Sequence, residues 1–320
     1  MRYLSGIQPS GTLHLGNYFG AMRRQIDRQD GNECYYFIAD YHALTTVRNP
    51  DELRKNVLGV ALDYLAVGLD PARTVFFRQS DVPEVLELAW VLSTLTPMGL
   101  LERCHSYKDK VAKGIEASHG LFAYPVLMAA DIVIHDIHRV PVGQDQKQHL
   151  EVTRDIAQRF NHVYGETLVV PEAEIEAATA VVPGTDGEKM SKSYGNTIEM
   201  FAPEGQLRTR VMKITTDSRD VPEPKDPDTS TIFKLYLLMA TPVERDEMAR
   251  KFREGNYGYG DAKKELLRKI LEHFGPARAR REALARDPAH VMSLLEDGGR
   301  RARAQAQRTI DRVYRKVGLR

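Results

Sequence analysis

Arg2-Tyr3-Leu4-Ser5-Gly6-Ile7-Gln8-Pro9-Ser10-Gly11-Thr12-Leu13-His14-Leu15-Gly16-Asn17 is a β-rich run that breaks into a turn and restarts as a helix. Arg2–Ser5 reads as a strand. The three glycines and one proline that follow within a dozen residues mark a tight strand-to-helix turn. The same rhythm recurs downstream. Cys34–Ala39 and Thr74–Arg78 read as strands, and Leu15–Arg28, Asp51–Val67 and Pro83–Leu95 read as helices. Asp51 suits an N-cap, with Leu53, Val57, Val60 and Ala61 on one helical face. Alternating strands and helices predict an α/β fold built on a doubly wound parallel sheet with right-handed crossovers. Ligands on such a sheet bind at the carboxyl ends of the strands, where strand order reverses.

From about Tyr194 the strand signals stop. Thr231–Met239, Pro242–Glu254, Asp261–Phe274 and roughly Pro288–Val317 have helical spacing, and Asp217–Thr229 is a charged loop with Pro222, Pro224 and Pro227. The expected organisation is a Rossmann-like catalytic domain over 1–193, a helical domain over 194–287, and a C-terminal helix over 288–320 that packs back on the first domain. No internal repeat or low-complexity tract interrupts it.

A chain of 320 residues builds a large core and two domains of ordinary size. A net charge of +1 carries no nucleic-acid signal over the whole chain, although a local basic patch would still act through its own field. Cys34 and Cys104, far apart, form neither a disulfide framework nor a metal knuckle, which fits a reducing cytoplasm. The N-terminus lacks the apolar stretch of a signal peptide. No apolar run reaches the roughly 20 residues of a membrane span, and the longest, Leu121–Ile134, carries an aspartate.

Three stretches carry chemistry. Gly16 sits in the first turn of a helix, where glycine costs about 1 kcal/mol relative to alanine. A base or ribose lying on the backbone would explain it, as would an ordinary glycine-rich turn. The helix start presents free N–H groups to phosphate, and His14 and Asn17 are spaced to face the same phosphate. Pro183-Gly184-Thr185-Asp186-Gly187-Glu188-Lys189-Met190-Ser191-Lys192-Ser193 reads as a mobile loop with two lysines three residues apart. Phosphate chemistry needs positive charge where negative charge grows, and such a loop would supply it. In the apolar helix Tyr124-Pro125-Val126-Leu127-Met128-Ala129-Ala130-Asp131-Ile132, Tyr124, Met128, Asp131 and the following His135 share a face. A buried aspartate there needs a donor: a ligand N–H, or, structurally, the backbone or an arginine.

His14-Leu15-Gly16-Asn17 and Lys189-Met190-Ser191-Lys192-Ser193 together resemble the two signatures of the class I aminoacyl-tRNA synthetases, the first in the variant ending in Asn. Gly6–Gly11, Leu127–Asp131, Val140-Pro141-Val142-Gly143-Gln144-Asp145-Gln146-Lys147-Gln148-His149 and the later Gly255–Gly260 look like the tryptophanyl branch, and the resemblance runs almost the whole chain. It implies ATP with Mg²⁺ and L-tryptophan as substrates, tRNA(Trp) as acceptor, no membrane, a homodimer and a cytoplasmic location. It also implies that Gln8, Pro9, Ser10, Gly16, Asn17, Gly143, Gln144, Asp145, Val182, Lys189, Met190, Ser191, Lys192 and Ser193 line the ATP site. His14, Asn17, Lys110, Lys189 and Lys192 would act on the phosphates. Gly6, His42, Tyr124, Met128 and Gln146 would shape the tryptophan pocket, with Asp131 reading the indole N–H.

Two features depart from the family. Position 144 is Gln where the family usually has Glu, which puts a carboxylate role there in doubt. No cysteine follows Cys104, so the cysteine-held iron–sulfur cluster of some relatives is not expected, nor any other resident metal. A tyrosyl enzyme, a nucleotidyltransferase with a smaller substrate and a non-charging tryptophan-binding paralogue are the alternatives. The basic C-terminal residues Arg278, Arg280, Arg281, Arg300, Arg301, Arg303, Arg308, Arg312, Arg315 and Lys316 would either track tRNA phosphates or form a solvated helix face.

Overall fold

The computed structural model describes residues 1–104, 118–143, 147–175 and 181–320. Five strands form one sheet: β1 (Arg2–Ile7), β2 (Glu33–Ile38), β3 (Thr74–Arg78), β4 (Arg139–Val142) and β5 (Glu172–Ile175), in the order β3-β2-β1-β4-β5. Every pairing is parallel, with β1 and β2 in register from Arg2 opposite Glu33 to Ile7 opposite Ile38. Strand order turns back between β1 and β4, so the site expected from the sequence lies there.

Alternation along the strands divides the core in two. Tyr3, Tyr36, Ile38 and Phe76 point to one face. They meet Val57, Val60, Ala61 and Tyr64 of the helix Pro50–Ala66, and this core runs on without a break into the helices of the later half, through Ile198, Leu207, Phe233, Leu266 and Phe274. Leu4, Tyr35, Phe37 and Phe77 point to the other face, against the helices Glu84–Ser93 and His119–Val133 and the apolar stripe Ala302, Ala306, Ile310 and Val313 of the C-terminal helix. Both faces of the parallel sheet are thus covered, as their apolar strands require.

Local chemistry explains where these helices begin. The long helix after β2 starts at Pro50 and not Asp51, because Asn49 is its cap: the Asn49 side chain accepts from the N–H groups of Asp51 and Glu52 at 2.9 and 3.1 Å. The helix Pro242–Glu254 opens on Thr241, with Glu244 reaching back to its N–H at 2.8 Å. The helix after β1 runs from Leu15 to Arg28, as expected, but passes through a wide turn at Tyr18–Met22.

The C-terminal helix, Pro288–Val317, lies directly on β3. Gly298 makes this approach possible, since a Cβ there would sit 1.8 Å from the carbonyl oxygen of Phe76. Most arginines of the basic C-terminal stretch fasten these helices to the rest of the fold rather than forming a purely solvated face. Arg278 donates to the carbonyls of Met200 and Phe201, Arg280 to Ala66 O, and Arg301 to Pro71 O and Thr74 O. Arg281, Arg303 and Arg312 pair with Asp63, Glu84 and Asp136 at 2.6, 2.6 and 2.5 Å. Among the described residues, no helix is long and apolar enough to cross a membrane.

Candidate active site

A cavity of about 520 Å³ opens at the carboxyl end of β1, where the strand order reverses. Its walls come from the end of β1 (Leu4–Gln8), from Phe37 and Ala39 at the end of β2, from Val140–Val142 of β4, and from the helix His119–Val133. Gly6 has a steric reason: a Cβ there would lie 2.5 Å from the Phe37 ring, which packs against the bare backbone. Of the residues assigned to the tryptophan pocket, Gly6, His42, Tyr124, Met128 and Asp131 line this one cavity. Gln8, assigned to ATP, lies at its edge. His135 does not join them. It is buried behind the cavity, stacked on Tyr35 at 5.0 Å and edge-on to Phe77.

Asp131 is buried, and its partners are neither backbone nor arginine. The Gln79 amide donates to Oδ1 at 2.8 Å and to Oδ2 at 2.9 Å, and His42 Nε2 meets Oδ2 at 2.9 Å. Burial pushes the Asp131 carboxyl up, while His42 and Gln79 pull it back toward ionisation. Oδ2 therefore takes two contacts and Oδ1 one, and a carboxylate oxygen has room for two donors. Tyr124 crosses the cavity to His149 Nε2 at 2.5 Å, which fixes its ring at the wall. Sequence reading gives neither Gln79 nor His149 a role. Gln79 lies in no recognisable motif, His149 merely closes the block that begins at Val140, and only the tertiary fold brings them to Asp131 and Tyr124.

Beside the cavity, the turn after β1 folds onto the double-lysine loop. Gly11 has φ +116°, a backbone state that suits glycine. His14 N–H donates to Asn17 Oδ1 at 3.1 Å, and Gly16 N–H points to the Met190 sulfur at 3.3 Å. The size limit at Gly16 comes from protein atoms, because a Cβ would meet His14 Nδ1 at 2.9 Å and Met190 Cβ at 3.3 Å. Burial, reinforced by the nearby Lys192 ammonium, pushes His14 down to about 4, so its imidazole is neutral at physiological pH.

The loop is a folded hairpin. Pro183 and Lys189 form an antiparallel bridge, and Met190 N–H bonds Val182 O at 2.9 Å. Asn196, another residue without a sequence signal, is its hub. Its Oδ1 accepts from Ser191 N–H at 2.8 Å, and its Nδ2 donates to Asp186 Oδ1 at 2.8 Å and Lys189 O at 3.1 Å. A Cβ on Gly184 would lie 2.3 Å from the Asn196 amide, so the glycine makes room for the hub. Ser191 and Ser193 hydroxyls bond each other at 2.8 Å, and Lys192 feels the carboxylates of Glu199 and Asp63. Lys110, Gln144, Asp145 and Gln146 lie outside the described residues. Gly143 directly follows β4, and Pro9 and Ser10 form the turn itself, with Ser10 N–H bonded to Gln8 O at 2.9 Å.

An apolar cavity holding one buried carboxylate, next to a phosphate-suited helix start and a double-lysine hairpin, defines a class of nucleotide-dependent enzyme. A family model for class I tRNA synthetases of the tryptophan and tyrosine group matches residues 1–275, and the chain belongs to that family. Within it, relatives that match along the whole chain include tryptophan–tRNA ligases. The one from Rhodopirellula baltica is 55% identical over 320 residues, covering 100% of both chains, and the one from Campylobacter jejuni is 48% identical over 319 residues, again covering 100% of each. The crystal structure of the Campylobacter jejuni tryptophanyl-tRNA synthetase complexed with ADP and tryptophan superposes with a TM-score of 0.96 at 47% identity, over 99% of this chain and 100% of that one. A tyrosyl-tRNA synthetase from Archaeoglobus fulgidus shares the fold alone, with a TM-score of 0.67 at 21% identity.

Proposed function

We propose that this enzyme joins L-tryptophan to ATP as tryptophanyl-adenylate and then passes the aminoacyl group to the 3′ end of tRNA(Trp). The observation that carries the substrate assignment is the Asp131 carboxylate, 3% exposed, among the described residues the one carboxylate facing a largely apolar cavity. Asp131 reads the indole N–H, and a side chain without that donor leaves a buried acceptor unpaired. Gly6, Met128 and Tyr124 fit the flat rings, and Gln146 serves the same pocket.

In the first step a carboxylate oxygen of tryptophan attacks the α-phosphorus in line. An O–P bond forms, the bond from the α-phosphorus to the bridging oxygen breaks, and pyrophosphate leaves with the electron pair. Neutral His14 and the Asn17 amide donate hydrogen bonds to the phosphates. Lys189, Lys192 and Lys110 place positive charge where the leaving group gains negative charge. Gln8, Pro9, Ser10, Gly16, Gly143, Gln144, Asp145, Val182, Met190, Ser191 and Ser193 hold the nucleotide. Among the described residues no group of three His, Cys, Asp or Glu could hold a metal ion. Magnesium enters with the MgATP substrate, on phosphate oxygens. In the second step a ribose hydroxyl of the tRNA terminus attacks the adenylate carbonyl and AMP leaves.

Residues 194–287 form the anticodon-side unit, and the active species is a cytoplasmic homodimer. Trp90, exposed at 74%, and Leu86, one turn before it in the helix Glu84–Ser93, give apolar surface that a second copy would cover, as does the exposed Met98 of the next helix. Charging of a tRNA(Trp) transcript with labelled tryptophan tests the whole reading. Saturable, ATP-dependent charging is expected. Adenylate formation without charging would leave a tryptophan-activating paralogue.

A further inference from the structure

Gln79 belongs to no motif, yet it is 1% exposed and both ends of its amide are used at the cavity wall. Its Nε2 donates to both oxygens of Asp131, and its Oε1 accepts the backbone N–H of His42 at 3.3 Å. Asp131 comes from the helix His119–Val133 and His42 from the helical turn Asp40–Ala43, so one side chain at the end of β3 ties together the two elements that define the polar corner of the pocket. Its own position is held from behind. The next residue, Ser80, donates its N–H and Oγ–H to Asp40 at 3.0 and 2.5 Å. Asp81 braces Arg78 at 2.7 Å. Gly299 of the C-terminal helix packs so closely on Asp81 that a Cβ would lie 2.7 Å from its Cβ.

We propose that Gln79 is the positioning residue that sets the indole selectivity of Asp131, by holding its carboxylate ionised and rotated so that the lone pair left on Oδ1 accepts the ring N–H. This rests on the reading of Asp131 as the indole acceptor. The argument is one of competing needs. A carboxyl this deeply buried drifts toward its protonated form unless donors oppose it. Gln79 is a donor that neither loses nor gains a proton in the working pH range, and among the described residues it alone spans both carboxylate oxygens. Without Gln79 the carboxyl loses the donor that spans both oxygens and one of the groups opposing its protonation, so Oδ1 no longer presents a fixed lone pair that demands an N–H from the substrate. Gln79 would then govern what Asp131 rejects more than how fast the chemistry runs.

The test compares tryptophan with its benzothiophene analogue, β-(3-benzothienyl)alanine, in which sulfur replaces the ring N–H. Pyrophosphate exchange gives kcat/KM for each with wild-type enzyme, Gln79→Met, which keeps length without a donor, and Gln79→Glu. Wild type favours tryptophan. Gln79→Met is expected to reduce that preference by about tenfold or more, the worth of one bond to a charged group, through KM with little change in kcat. A merely structural role would weaken both substrates alike and leave the ratio unmoved, which would overturn the proposal.

Gln79→Glu supplies the second readout. When protonated, the introduced carboxyl donates as the glutamine amide does; when ionised, it repels Asp131. The titratable groups facing that point are Asp131, His42 and, through Ser80, Asp40. Tryptophan preference in this variant is expected to recover as pH falls from about 8.5 to about 6, while Gln79→Met shows no recovery on acidification. A preference in Gln79→Glu equal to wild type at every pH would also overturn the proposal. Where exchange is too slow to measure, equilibrium binding of the two amino acids gives the same ratio. Failure of the underlying reading looks different, since wild type itself would then not discriminate between the two amino acids.

Discussion

The chemistry turns on a few side chains whose states are set by burial. Asp131 is the sharpest case. Asp131→Ala is expected to lower kcat/KM for tryptophan by about 10- to 150-fold, the range for losing one bond to a charged acceptor at about 1.5–3 kcal/mol. The same variant should treat the benzothiophene analogue almost as well as tryptophan, and steady-state exchange with both checks it. His14 makes a different prediction. With its imidazole pushed down to about 4 by burial and by Lys192, it stays neutral from about pH 8 down to about pH 5.5. The pH profile of kcat should show no step from His14 in that range, and His14→Asn should lower kcat without shifting the profile. At this scale the sequence is informative where chemistry repeats in short strings. His14, Asn17, Lys189 and Lys192 stand in such strings. Gln79 and Asn196 do not, and His149 stands at the end of one without a role attached. Their partners Asp131, the loop backbone and Tyr124 are reached only through the fold.

The elements show where local signals are strong and where tertiary context decides. Spacing predicts the limits of the helices Pro242–Glu254 and Pro288–Val317 as observed, because caps and flanking prolines or glycines mark both ends. β3 is equally clear from its run of Val75, Phe76 and Phe77. β4 and β5 carry no such signal. Each has four residues, and Glu172-Ala173-Glu174-Ile175 becomes a strand only because β4 offers it an edge. The double-lysine loop reads as mobile from its glycines, yet it folds as a hairpin around Asn196. Asn196→Ala removes that hub. It is expected to lower kcat for adenylate formation by about 10- to 100-fold, since a misplacement of about 1 Å can cost about 100-fold. Tryptophan binding, measured by calorimetry, should be unchanged. A parallel loss of tryptophan affinity would place the hub's role elsewhere.

Across the whole molecule, the link between the sheet domain and the later helices is polar as well as apolar. Asp63 is 3% exposed and meets Arg281 at 2.6 Å across that boundary, next to the bond from Arg280 to Ala66 O. Arg281→Ala strands the carboxylate. It is expected to cost about 2–4 kcal/mol, less than a fully buried pair because Arg281 keeps some contact with water. At about 2–4 °C per kcal/mol for a chain of this class, the thermal midpoint should drop by several degrees.

Stability should also depend on pH. His14 and His135 are held at about 4 and about 3 against an ordinary 6.5, so the unfolded chain takes up protons first, and their contribution is lost as pH falls below 6.5. Asp63, raised from 3.8 to about 6 mainly by burial, acts the other way, adding stability as pH falls through 6. Asp40 and Asp131, also raised by burial, act in the same sense as Asp63, and the two histidines, each displaced further than Asp63, set the sign. Thermal scans at about pH 7 and about pH 5 are expected to show the lower midpoint on the acid side.

The proposed function gives Asp131 the selection of the amino acid that is activated. Amino-acid-dependent ATP–pyrophosphate exchange, run with each of the protein amino acids in turn on wild type and Asp131→Ala, puts that selection to the test in a single assay. Exchange with tryptophan alone is expected in wild type, and weak, less selective exchange in the variant. Exchange driven by tyrosine, or tryptophan exchange untouched by the loss of Asp131, would refute the role of Asp131 as the reader of the indole.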